Sequence, residues 1–253
     1  MTELRQKMIR AMELGNLSDN TQRRYLEAVT GLAKHYHQSP DQLTKEMIED
    51  YLLYLKNDKG NAPNSCASTL SGLRFFYKNV TKQKISIDYS LARKVQKLPT
   101  VLPQEDIENI INATNNLKHR LILMTTYSAG LRACEVAALK PQHIDSKRML
   151  IKIEKTKNNE QRYSILSVKL LEELRRYYET CKPQTYLFPS SYKHKKHQPL
   201  SYGSVHSIYE KTRKKAGVKN GAGIHTMRHS FATHLLEAGY DIRKIHVLMR
   251  HRR

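Results

Sequence analysis

Apolar residues recur at helical steps of three and four along most of this chain, and alternate in strand fashion at one place. That pattern restricts the fold to a mainly α protein with a small β-hairpin or sheet. Ser18, Asp19 and Asn20 offer an N-cap, and Tyr25, Val29, Leu32 and Tyr36 then share one helical stripe. Thr44 caps a second helix whose inner face is Ile48, Tyr51, Leu52 and Leu55. After a turn from Asp58 to Pro63, Leu70, Leu73, Phe76, Tyr77 and Val80 line a third. Together with an amphipathic N-terminal helix, these predict a helical bundle over residues 1–85. Residues 86–102 lose the periodicity and read as a linker, and residues 103–253 form a second domain.

Pro103 opens that second domain, with Glu105 and Asp106 in the first turn of a helix. Lys118 to Ala129 is an apolar helix stopped by Gly130, and a short helix follows from Arg132. From Met149 to Glu154 the alternation has period two, with Met149, Ile151 and Ile153 on one side and Leu150, Lys152 and Glu154 on the other. Arg162 to Leu166 pairs with it across the polar stretch Lys155 to Glu160. Helices are then expected after Ser167, after Ser201, from His225 to Ala238, and after Asp241.

Charge points to the partner. Lys and Arg number 44 against 23 Asp and Glu, a formal net charge of +21 over 253 residues. From Phe188 to Arg253 there are fourteen Lys and Arg against three Asp and Glu, and eight of the twelve histidines lie there. A single-sign field of this size exceeds what solubility requires and suits a polyanion, of which nucleic acid is the commonest. No run approaches the roughly 18 apolar residues of a membrane-spanning helix. The N-terminus lacks the pattern of a signal peptide. Cys66, Cys134 and Cys181 are odd in number and widely spaced, so they suggest neither a disulfide framework nor a zinc site. The expected location is the cytoplasm, in association with the nucleoid.

Four places carry candidate chemistry. Arg132 begins a helix after Gly130, next to the N–H groups that suit phosphate, and Glu135 follows on the same face. By itself that spacing is also that of an ordinary surface pair. Lys157 stands in the hairpin, where a lysine is normally idle in solvent or else reaches an oxygen in a groove. His225 and Arg228 share a face at a helix start, setting a proton carrier beside a permanent cation. His225 and His229 have the i, i+4 spacing of a zinc pair, but Thr226 stands where the catalytic Glu of HExxH would be. No metal and no cofactor is therefore expected. His251 follows the last helix and is uninformative alone. A metal-dependent nuclease would need an acidic cluster, and the basic C-terminal quarter holds only Glu210, Glu237 and Asp241.

In combination these residues resemble the tyrosine recombinase or phage integrase family, including integron integrases and Xer recombinases. Ala129 to Glu135 reproduces the family string AGLRxxE. Thr156 to Arg162 fits the frame GKGxKxR with both glycines replaced, which selects Lys157 over its rival Lys155. The stretch HTMRHSFATHLLEAG from His225 to Gly239 is similar to the box HxLRHxxAxxLLxxG. Met249-Arg250-His251 stands in place of LGH, with Arg250 for the glycine. The runs NTQRRYLEAVTGLAKHY, LTKEMIEDYLLYLK and LRFFYKN resemble the family's core-binding domain.

The resemblance implies a SAM-like core-binding bundle followed by a mixed α/β catalytic domain of the tyrosine recombinase type. It implies site-specific cutting and rejoining of double-stranded DNA through a 3′-phosphotyrosine, by a homotetramer on DNA. Arg132, Lys157, His225, Arg228 and His251 are the implied catalytic residues. The family's nucleophilic tyrosine follows the LGH histidine by roughly nine residues. None of the 15 tyrosines holds that place, and Tyr240 precedes the last helix. Two expectations follow: a recombinase scaffold without its nucleophile, inactive as given, or an inactive DNA-binding remnant or regulator.

Overall fold

The computed structural model describes residues 2–83, 98–154, 161–190 and 198–249. The chain divides into two compact units, Met1–Gln96 and Lys97–Arg253. Most residues read as linker lie outside the described residues.

The first unit contains helices α1 (Glu3–Leu14), α2 (Asp19–Tyr36), α3 (Lys45–Asn57) and α4 (Pro63–Phe76). Side-chain caps set two of their starts: Ser18 accepts from the Thr21 N–H and Thr44 from the Met47 N–H. Pro63 occupies the first turn of α4, where its missing N–H costs nothing. The expected stripes face inward and meet in a core of Met8, Met12, Leu32, Ile48, Leu70, Leu73, Phe76 and Tyr77. The third stripe departs from a plain α-helix. After Phe76 the chain widens into one π-helical turn, Tyr77–Thr81, ended by left-handed Lys82. Tyr77 is thereby buried directly behind Phe76, and its hydroxyl donates to the Pro40 carbonyl at 2.6 Å.

The second unit contains α5 (Gln104–Asn112), α6 (Leu117–Ser128), α7 (Ala133–Ala137), β1 (Ile144–Asp145), β2 (Leu150–Ile153), β3 (Arg162–Ile165), α8 (Val168–Cys181), α9 (Tyr202–Lys215), α10 (His225–Glu237) and α11 (Ile242–Met249). Residues Leu121 to Thr126 of α6 are all buried, as in a helix surrounded by others. The three strands form an antiparallel sheet in the order β1-β2-β3. Leu150 pairs with Ile165 and Ile153 with Arg162, so the expected hairpin is present with Ile151 and Ile153 inward. Two-residue β1 is too short to produce an alternation, which is why the sequence does not betray it. Leu102, within the stretch read as linker, is buried in this unit, and its N–H donates to Ser230 Oγ at 2.9 Å. Ser230 lies on α10, far along the chain, so packing sets this anchor and no local pattern marks it.

Gly130 ends α6 with φ of +57°, and a Cβ there would lie 2.4 Å from the Phe231 ring and 3.0 Å from Met249 Sδ. Gly239 has φ of +82° but open space around it. Gly130→Ala combines left-handed strain with overpacking, about 2–4 kcal/mol, whereas Gly239→Ala bears the strain alone, about 1 kcal/mol. Thermal melts of the two variants should therefore separate clearly. Equal shifts would show that Phe231 moves aside without cost.

Candidate active site

Arg132 caps α7 in extended conformation, and Glu135 lies in the first turn. One Glu135 oxygen accepts from the Arg132 guanidinium at 2.8 Å and the other from the Arg132 backbone N–H at 2.8 Å. This is no surface pair: the Glu135 side chain is 1% exposed. Two further arginines approach the same carboxylate, Arg162 from β3 at 2.6 Å and Arg228 from α10 at 3.8 Å. Burial pushes the Glu135 carboxyl up. Arg162 and the bonds from Arg132 outweigh that and hold it below the usual carboxylate range.

Arg132 and Arg228 differ in exposure. The Arg132 side chain is 29% exposed and open to a ligand. Arg228 is almost wholly buried, and its terminal nitrogens donate to the Gly130 and Met249 carbonyls. Burial and the neighbouring Arg132 bring Arg228 down to about 10, so it remains a cation at neutral pH. The turn between α6 and α7 is gripped from both sides, since Ser164 donates to the Ala129 carbonyl at 2.6 Å.

His225 opens α10 with its side chain exposed. Partial desolvation lowers its pKa, and His229, Arg228 and Arg132 lower it further, against the pull of Glu135. It is therefore neutral at pH 7 and able to accept a proton. The ring of Tyr202 lies 6.5 Å from the His225 ring. Lys157 and His251, with Lys155 and Arg250, lie outside the described residues. Of the sequence candidates, Arg132 and Arg228 meet at Glu135, and His225 lies near enough to feel both arginines and that carboxylate. Arg162 is a further residue of this cluster, to which the motifs assign no role. Its signal was a charge at an inward strand position, in phase with buried Ser164. Among the described residues, no group of three or more His, Cys, Asp or Glu side chains gathers as a metal site.

Residues 100–253 match the model of the phage integrase family, and residues 4–87 that of the phage integrase N-terminal SAM-like domain. The chain belongs to the phage integrase family. It is 40% identical over its whole length to the "Putative integrase/recombinase y4qK" of Sinorhizobium fredii (strain NBRC 101917 / NGR234), covering 82% of that protein. It is 29% identical to tyrosine recombinase XerA of Pyrococcus horikoshii over 95% of this chain and 82% of the relative. A lambda integrase dimer bound to a core site superposes over 98% of this chain and 94% of that one, with a TM-score of 0.75 at 17% identity. A lambda integrase tetramer bound to a Holliday junction gives 0.75 at 16% identity, over 100% of this chain and 78% of that one. The fold is that of tyrosine recombinase catalytic domains, mostly helical with a small antiparallel sheet. No helix among the described residues is long and apolar enough to cross a membrane.

Proposed function

We propose that this chain is a site-specific DNA recombinase whose second unit holds a scissile phosphate at the arginine cluster. One observation carries the reading: three guanidinium groups share one buried carboxylate. The surplus positive charge sits at a helix start with one arginine open to solvent, where a phosphate would complete the charge balance. Arg132 takes a non-bridging oxygen with its planar fork, and Arg228 adds its fixed charge from behind. As a tyrosine oxygen bonds to phosphorus and the bond to the 5′-oxygen breaks, His225 takes the tyrosine proton and Lys157 gives one to the leaving oxygen. His251 donates a hydrogen bond to the phosphate. Energy is retained in the 3′-phosphotyrosine, and reversal by a 5′-hydroxyl rejoins the strand.

Duplex DNA is the partner, and the proposed assembly is a homotetramer on two DNA sites, acting at the nucleoid. The division of labour is a core-binding domain over residues 1–85, a linker over 86–102 and a catalytic domain over 103–253.

The test is a nicked suicide duplex resolved under denaturing conditions. Residues 1–253 alone are expected to give no covalent band, because no tyrosine occupies the family position. The same chain followed by a tyrosine-bearing segment is expected to give one. Arg132→Ala should reduce that band by about 100-fold or more, the scale of losing one transition-state donor. An adduct from residues 1–253 would place the nucleophile elsewhere in the chain. Tight DNA binding with no adduct from either polypeptide would favour the inactive, DNA-occupying alternative.

A further inference from the structure

Arg162 has no step in the mechanism above, yet it is among the most enclosed charges in the second unit. Its side chain is 3% exposed, so it cannot reach a phosphate in solvent. One terminal nitrogen donates to Glu135 Oε2 at 2.6 Å, the oxygen that also accepts from the Arg132 backbone N–H. The other donates to the carbonyl of Leu248, in the last turn of α11. A helix leaves its final carbonyls without partners inside the helix. Here Arg162 takes Leu248 and Arg228 takes Met249, so two guanidinium groups act as the C-cap of α11 and complement its negative end.

From these contacts we infer that Arg162 is a positioning residue that yokes the Arg132–Glu135 pair to the end of α11. The proposal rests on reading the arginine cluster as the phosphate site. The Glu135 carboxylate is held by Arg162 and in turn aims the Arg132 guanidinium. The same side chain fixes the carbonyl three residues before His251. The phosphate-facing arginine and the start of the segment carrying His251 thus share one anchor. The two acceptors are met by two different terminal nitrogens of one rigid fork, a spread that the single nitrogen of a lysine does not match.

Amide hydrogen exchange on residues 1–253 without DNA tests the yoke. In Arg162→Met, segments 131–137 and 242–249 should both exchange roughly tenfold faster or more, the effect of about 1.4 kcal/mol of lost protection. In Arg162→Lys, which follows the carboxylate, segment 131–137 should stay protected while 242–249 accelerates. This second variant keeps the proposal testable if the first unfolds. Wild-type exchange at 242–249 in both variants would overturn it. Duplex affinity of Arg162→Lys should stay within about twofold of wild type, because a buried arginine neutralises no phosphate. In the tyrosine-bearing chain its single-turnover cleavage should fall at least tenfold even at saturating DNA. Equal losses of affinity and cleavage would reduce Arg162 to a plain stabilising residue and end the proposal. If the parent chain forms no adduct at all, the phosphate-site reading fails, while exchange still decides the yoke.

Discussion

Arg228→Ala is expected to destabilise the second unit by about 3–5 kcal/mol, far more than Arg132→Ala. The substitution strips the Gly130 and Met249 carbonyls of their donors in a buried place. Each unsatisfied buried acceptor costs about 1–3 kcal/mol. It also removes a buried cation from beside Glu135. Arg132 is different: its side chain is 29% exposed, and Glu135 keeps Arg162 at 2.6 Å when Arg132 is gone. The cost there should be about 1 kcal/mol or less. For a domain of this size the two losses correspond to melting shifts of about 6–20 °C and about 3 °C. The two arginines therefore separate by assay, Arg228 by stability and Arg132 by chemistry. Equal melting shifts would contradict the assignment of Arg228 as a structural brace.

DNA affinity should fall by about 10³-fold or more between 50 and 200 mM salt, as expected when six or more phosphates are neutralised. The motive is the net charge of +21 and its concentration after Phe188. On the second unit, α9 ends in Arg213, Lys214 and Lys215. Of these, Lys214 and Lys215 face solvent, while Arg213 is spent on Glu210 and on the carbonyls of Val218 and Lys219. Fluorescence anisotropy with a labelled duplex at several salt concentrations gives the slope directly. A slope in log affinity against log salt shallower than about −2 would mean that fewer than three phosphates are engaged. Basic binding by charge alone would then be the wrong account of this chain.

Much of the fold was legible because its signals are local. Ser18, Thr44 and Ser167 cap helices within three residues of themselves, and the apolar stripes that follow need only the helical repeat. The β2–β3 hairpin follows from period-two alternation in β2 and from the polar stretch that separates it from its partner. The Arg132–Glu135 contact is likewise a neighbour relation on one helix turn. Short β1 and the π-helical turn after Phe76 escaped, since neither is long enough to impose its own repeat.

Sequence alone therefore determined the helices, the hairpin, the strong positive charge and the family to which the motifs belong. Only the tertiary structure decided what those motifs do to one another. A guanidinium finds its carboxylate by distance in space, and Arg162 and Glu135 are 27 residues apart. Spacing marked Arg228 as a helix-start cation, but the packing of α10 against the α6–α7 turn and α11 made it a buried brace. The Glu135 carboxylate became the shared centre of three arginines because β3, α7 and α10 converge there, and burial makes the charges of Glu135, Arg162 and Arg228 demand partners.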